Sequence, residues 1–456
     1  MITMLRHESS ATRNSCRVCA PLGSSLVFLG VAGCMPLVHG GQGCSTYIRR
    51  YLIGHFREVV DIASTNFSEA STVFGGSRNL LEGLANLTAQ YEPAIIGVST
   101  SCLSETMGED VRSMLVEWKK INEGNENIPA VVHVSTPSYK GSQRDGFYDA
   151  VKAILQQLTQ SNPSGTLPIP ARINMLPGFV SSEDIRHLFE ITASFGLDAT
   201  MLPDYSQTLD DGQWESWQAM PKGGTTLERI REAGQAQHTV DFEIPLQGHQ
   251  TAGDWLEKEH HVPCSTLALP IGIEACDALF HTLATISGQP IPAAWLAERG
   301  RLADSYIDAH KYAFGLRVAI VGDEEIVAAL ARFCAETGII PALCATGGSP
   351  ERLRQGLQGI ESPETIHVVG AADYEDITEL CKAHNIAMII GNSKAYCVAR
   401  ELQIPLVRSG FPIQDRMGGQ RLLHVGYRGT QRLFDQIINT WLEYKQDHST
   451  IGYKTY

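Results

Sequence analysis

The chain has 456 residues, 43% hydrophobic and 19% charged, with a formal net charge of −14. That length outgrows one hydrophobic core and implies two or three domains, and the composition excludes a disordered chain. The acidic balance argues against nucleic acid or an anionic membrane as partner, since both call for a basic surface, and it fits a cytoplasmic enzyme.

Read from the N-terminus, Met1 to Ser15 mixes Arg6, His7, Glu8 and Arg13 and has no apolar core of the kind a signal peptide carries. The apolar stretch from Leu22 to Val38 is broken by glycines, Cys34 and Pro36, which makes it too interrupted to span a bilayer. It reads as a buried helix ending in a loop. β-branched runs follow at Ala94–Ser99, Ala130–Ser135, Ile173–Leu176, Arg317–Val321, Thr365–Val369, Ala387–Ile390 and Ile404–Val407. Each stops at turn-forming residues and leads into a helical pattern, which predicts α/β domains built on parallel sheets with right-handed crossovers. The clearest unit runs through Arg317–Val321, the turn Gly322-Asp323, a helix Glu325–Thr337 and a strand near Ile339–Cys344. A linker is expected at Ser161-Asn162-Pro163-Ser164-Gly165, and Ser287 to Pro292 opens a helix crossing into a third unit. The division is therefore 1–165, 166–295 and 296–456, three Rossmann-like units. Ligand edges of such sheets lie where strands end, so Cys102, after one strand, and Ser138, after the next, belong on one rim.

Eleven cysteines, an odd number with no export signal, do not suggest a disulfide framework. Three have unusual settings: Cys19 before Ala20-Pro21, Cys44 in His39-Gly40-Gly41-Gln42-Gly43 ahead of a helix Ser45–His55, and Cys102 between a strand and a helix. A thiolate at a helix N-terminus is stabilised by unpaired backbone N–H groups. The plain alternative is that all three are buried small hydrophobes, and their spacing matches no compact metal motif. Zinc lacks a second close pair, and Cys16-x-x-Cys19 alone is a weak signal. Three thiolates are also too few for a complete cubane, which needs four. A site shared across a subunit interface would resolve that.

These segments resemble the nitrogenase component-one β-subunit family. The likeness rests on Cys19-Ala-Pro-Leu-Gly23, Gly33-Cys-Met-Pro-Leu-Val-His-Gly-Gly-Gln-Gly-Cys-Ser-Thr-Tyr47, His55-Phe-Arg-Glu58 and Val73-Phe-Gly-Gly76. It continues through Ser99-Thr-Ser-Cys-Leu-Ser-Glu-Thr-Met-Gly-Glu-Asp110, Thr136-Pro-Ser-Tyr-Lys-Gly-Ser142, Ile390-Gly-Asn-Ser393 and Gly410-Phe-Pro-Ile-Gln-Asp-Arg416. The resemblance implies three α/β domains and an α-type partner subunit in an α2β2 assembly. It also implies an eight-iron, seven-sulfur P-cluster shared between the two chains, with Cys19, Cys44 and Cys102 as this chain's ligands. Ser138 matches a serine that can bind a cluster iron on oxidation, though it also reads as an ordinary turn serine. Phe74 matches a docking position for a homodimeric, ATP-hydrolysing iron protein, yet taken alone it reads as core. His39 reads as a hydrogen-bond donor near the cluster, and Arg49 and Arg50 as a solvated or paired face.

No Walker A loop or H-E-x-x-H motif occurs, so ATP belongs on the separate iron protein and no catalytic residue is expected in this chain. The resemblance places the active-site iron–sulfur cofactor in the partner. Cys19, Cys44, Cys102 and Ser138 together look like a catalytic subunit. Asp145-Gly-Phe147 and Asp415-Arg-Met-Gly-Gly-Gln-Arg421 look like a cofactor-assembly scaffold. That mixture is similar to the β-type subunit of methylthio-alkane reductase. The alternatives are a dinitrogen-reducing β-subunit and an iron–sulfur assembly scaffold.

Overall fold

The computed structural model describes residues 1–5, 15–125, 127–160, 168–216 and 218–450. The charged N-terminal residues Arg6, His7, Glu8 and Arg13 and the expected linker Ser161–Gly165 lie outside the described residues. Fourteen strands occur among those described: β1 Ile2–Met4, β2 Cys34–His39, β3 Ala63–Ser64, β4 Ile95–Thr100, β5 Ala130–Val134, β6 Arg172–Leu176 and β7 Asp198–Met201, then β8 His238–Asp241, β9 Cys264–Thr266, β10 Arg317–Gly322, β11 Ile340–Thr346, β12 Ile366–Val369, β13 Met388–Gly391 and β14 Leu406–Arg408.

They form three parallel sheets, ordered β3-β2-β4-β5, β7-β6-β8-β9 and β1-β12-β11-β10-β13-β14. Helices cover them, so central strands are buried on both faces; every residue of β2, β4 and β11 is buried. The fold is the α/β architecture expected. From β12 to β14 the third sheet has the order of a doubly wound nucleotide-binding domain. Its crevice is taken by the chain itself. Cys16 N–H donates to Ala372 O at 3.2 Å, and a Cβ on Gly347 would lie 2.5 Å from Arg17 N.

Two expectations need correction. The stretch Leu22 to Val38 is not a helix followed by a loop. The helix Ala20–Leu29 turns at 30–33 and returns as β2, the strand that pairs with β4 along its whole length. Pro36 is tolerated there because β3 reaches only Leu37 and Val38, leaving the far side of Pro36 without a ladder partner. The strand Ile2–Met4 also leaves the first unit: it pairs with Ile366–Val368 at the edge of the third sheet.

The helix Ala20–Leu29 crosses the helix Gln143–Leu158 at backbone contact. A Cβ on Gly23 would sit 1.8 Å from Gln143 O, and one on Gly146 would sit 2.0 Å from Ala20 O. Only glycine permits that approach. Where the three units meet, Arg144 is buried and bonds Glu243 at 3.1 Å and Glu325 at 2.5 Å, one carboxylate from each of the other units. No helix among the described residues is long and apolar enough to cross a membrane.

Candidate metal centre

The carboxyl ends of β2 and β4 each open into a helix that begins with a cysteine in its first turn. After β2 the chain turns through Gly40 and Gly41, and the helix Gln42–Phe56 starts earlier than its sequence pattern indicated, so Cys44 is already in the first turn. After β4, Ser101 caps the helix Cys102–Met107, with its side chain accepting from Ser104 N–H. Cys19 is itself the cap residue of Ala20–Leu29, with Pro21 in the first turn. A Cβ on Gly40 would lie 2.1 Å from Ser101 Oγ, so glycine lets the two strand ends close together.

Ser138, after β5, ties two of these starts. Its N–H donates to Cys102 Sγ at 3.2 Å, while its Oγ accepts from Ala20 N–H at 3.1 Å. Cys19 is further held by an antiparallel bridge to Ser142 and by Val18 N–H donating to Gln143 Oε1 at 2.7 Å. Glu105 closes the rim, accepting from the hydroxyls of Thr100 and Ser135.

The three thiols feel one another. Burial pushes Cys19 up to about 12, and the charges of Cys44 and Cys102 push in the same direction. Cys44 is raised by burial and then by Cys102. Cys44 and Cys102 are exposed and Cys19 is half-buried, so the buried-hydrophobe alternative does not describe them. The other cysteines divide differently: Cys16, Cys34, Cys276, Cys334, Cys344 and Cys381 are buried. No group of three His, Cys, Asp or Glu side chains among the described residues is gathered tightly enough to hold a single metal ion. Cys44 and Cys102 stand at the surface of the chain, with Cys19 half-buried beside them.

That arrangement fits an iron–sulfur cluster by its donor chemistry. Soft sulfur ligands project from three helix starts whose first N–H groups lack intrahelical partners. The outer side is open, since a Cβ built on Gly41 or Gly43 meets nothing within 4 Å. Neither glycine is needed for packing inside this chain. Tyr47, Leu103 and Tyr139 are exposed apolar side chains on the same segments.

Phe74 is not core. It is 86% exposed at the tip of the helix Glu69–Phe74, beside Val73 at 75%. The Gly76 N–H behind this tip donates to Glu109 at 2.8 Å, and Glu109 lies 3.5 Å from His39. The His39 ring is buried against Phe67 with its Nε2 facing Glu109, and burial lowers its basicity while Glu109 opposes. Arg49 donates to Val60 O and faces Asp61, as a paired surface side chain would.

One residue went unremarked. Tyr47, one turn after Cys44, rests against Tyr51 at 4.6 Å, and its phenol is raised by burial, by Tyr51 and by the charge of Cys19. The three-residue step from Cys44 on a helix could have flagged it. Between the three units, Phe179 contacts Phe147 and Phe411 at 5.4 and 5.0 Å, and Phe411 lies 4.9 Å from His55. Burial holds His55 down to about 3, so its neutral ring accepts Ile413 N–H at 2.9 Å. About 30 Å³ remains there, too little for a cofactor.

A family model described as nitrogenase component 1 type oxidoreductase matches residues 19–442. The chain is similar to the nitrogenase molybdenum-iron protein beta chain of Clostridium pasteurianum, at 34% identity over 446 residues, covering 96% of this chain and 94% of that one. It is 33% identical over 462 residues to the nitrogenase vanadium-iron protein beta chain of Trichormus variabilis, covering 98% of each. A solved structure described as "Nitrogenase Cp1 at pH 6.5" superposes with a TM-score of 0.91 at 32% identity, covering 99% of this chain and 98% of that one.

Proposed function

The chain belongs to the nitrogenase component 1 type oxidoreductase family, and from that premise we propose that it is the β-type subunit of a two-component reductase, holding half of an eight-iron cluster against an α-type partner. The reading is carried by Cys19, Cys44 and Cys102, drawn from three helix starts to one rim that the chain leaves open. Three ligands facing outward call for a second polypeptide to complete the set. An α2β2 assembly and a transient, ATP-hydrolysing iron protein accompany this reading, with Phe74 as part of the docking surface.

A cluster bound here would supply one-electron storage and transfer. The residues of this chain would do the rest. Cys19, Cys44 and Cys102 would each give a thiolate to iron, and the N–H groups of their helix starts would offset the negative charge. Ser138 would serve as a further ligand on oxidation, a role supported by its backbone N–H on Cys102 Sγ and its hydroxyl beside Ala20 N–H, next to Cys19. The aromatic packing at the junction of the three units leaves no room for a substrate cofactor, which supports assigning that cofactor to the partner.

Two substrate readings remain in view. Reduction of a methylthio-alkane rests on the scaffold-like segments Asp145-Gly-Phe147 and Asp415–Arg421 combined with a full set of cysteines. Reduction of dinitrogen rests on the relatives, which carry the names of molybdenum–iron and vanadium–iron nitrogenase beta chains. It fits at least as well.

The test is iron analysis and EPR of the purified αβ complex before and after mild oxidation, followed by assay of the complex with its iron protein. An eight-iron cluster whose oxidised signal changes in Ser138→Ala supports the reading. A simple cubane would indicate an assembly scaffold, and an iron-free complex would overturn the proposal. Methane released from a methyl thioether, set against ammonia from dinitrogen, separates the two substrates.

A further inference from the structure

Asp110 and Asp373 cap the helices they precede. The first accepts from Ser113 N–H, the second from the N–H groups of Glu375 and Asp376. Asp323 stands at the same position before the helix Glu324–Glu336 and makes no such bond. Its Oδ1 accepts instead from Gln143 Nε2 at 2.5 Å, across 180 residues of chain. A local bond that stabilises a helix start is given up for a contact between the third unit and the first.

Gln143 passes that hold to the residue before Cys19. It is buried; its Oε1 accepts Val18 N–H at 2.7 Å, and its backbone N–H donates to Val18 O at 3.0 Å. Cys19 and Ser142 form the neighbouring pair of the same antiparallel contact. With its amide nitrogen on Asp323 and its amide oxygen on Val18, the Gln143 side chain cannot turn over without losing both bonds. Asp323 follows β10, at the carboxyl edge where a sheet of this order takes a ligand, and here that edge takes the segment leading to Cys19. Burial, and then Glu324 and Glu325, raise the Asp323 carboxyl well above the usual carboxylate range, with Arg144 opposing. Near neutral pH it is therefore a neutral acceptor, which asparagine can imitate.

We propose that Asp323 is a positioning residue for Cys19, acting through Gln143 and Val18 to fix where that thiol stands on the rim. One ligand of the rim is thus held from the third unit, whereas Cys44 and Cys102 are set by strand ends of the first. Cys19 as a cluster ligand is the premise taken from the proposed function; the placement of its thiol can be measured with or without iron.

In the full chain without iron, alkylation by iodoacetamide followed by mass spectrometry reads that placement, with Cys102 as the internal reference. Asp323→Ala and Gln143→Met should each speed alkylation of Cys19 several-fold and leave Cys102 unchanged. Asp323→Asn, which keeps the acceptor oxygen, should restore the wild-type rate. Glu336→Gln loosens the same unit at the far end of the helix Glu324–Glu336, roughly 20 Å along its axis from Asp323, and should leave both thiols at wild-type rates. In the purified αβ complex, Asp323→Ala should lose iron to a chelator about ten-fold faster than wild type and shift the midpoint potential of the cluster, with Asp323→Asn again matching wild type. Unchanged Cys19 rates in both Asp323→Ala and Gln143→Met, acceleration of Cys19 and Cys102 together in both, or an asparagine variant no better than the alanine one overturns the assignment. A wild-type complex without iron overturns the cluster reading instead, and the alkylation ratio still decides whether Asp323 places Cys19.

Discussion

Asp241 and Glu324 are buried carboxylates that hold their protons near neutrality. Burial lifts Asp241 from 3.8 to about 7, with Glu243 adding to the effect; burial and then Glu325 lift Glu324 from 4.5 to about 7. Glu324 accepts Ser349 N–H through one oxygen and leaves the other without a partner. Between about pH 4 and about pH 7 the folded chain keeps protons that the unfolded chain has released, so these groups make stability fall as pH rises through that window. Glu324→Gln, which cannot ionise, should raise the melting temperature by about 1–3 °C near pH 8 and leave it unchanged near pH 5. Equal shifts at both values in thermal denaturation would contradict this. Cys102→Ala removes an exposed thiol that, among the described residues, accepts the Ser138 N–H. It should therefore abolish bound iron while shifting the melting point of the isolated chain by no more than about 1 °C. Unchanged iron content would remove Cys102 from the ligand set.

Among the elements, the crossing of Ala20–Leu29 over Gln143–Leu158 controls where Cys19 stands, because the first helix begins at that cysteine. Gly146→Ala would drive a methyl into Ala20 O, a backbone atom that cannot swing aside. The expected result is a loss of about 3 kcal/mol in denaturant titration, with lower iron retention than in Cys102-intact controls such as an exposed Gly300→Ala. The strands from Ala94 onward that the sequence marked by β-branched runs were legible within a residue or two, since each run is apolar and closed by turn residues. Pro36 hid β2, because a proline argues for a loop until the short reach of β3 is known. The strands β1, β3 and β9 have two or three residues each, too few for any periodicity. The rim that joins Cys102 to Ser138 could be read from strand order alone, as parallel neighbours end on the same side. The exposure of Phe74 could not, because a short helix tip gives no pattern that separates core from surface.

At the scale of the whole molecule, one guanidinium joins all three units. Arg144 is 1% exposed and meets Glu243 and Glu325, so removing it takes the guanidinium from two carboxylates in a low-dielectric interior and leaves Glu243 with His249 at 3.3 Å. Arg144→Met should destabilise the chain by about 3–5 kcal/mol in urea titration. The triple change Arg144→Met/Glu243→Gln/Glu325→Gln should recover most of that loss, and failure to recover it would mean that Arg144 acts through packing instead. The edge strand β1 binds the molecule differently. Ile2 pairs with Ile366, so a ribosome makes the two partners roughly 360 residues apart. At synthesis speeds of about 5–20 residues per second, the opening strand waits on the order of half a minute for its neighbour. Throughout that interval it is an unpaired ribbon next to a growing protein, and its docking is a late seal on a body whose other sheets have had time to form.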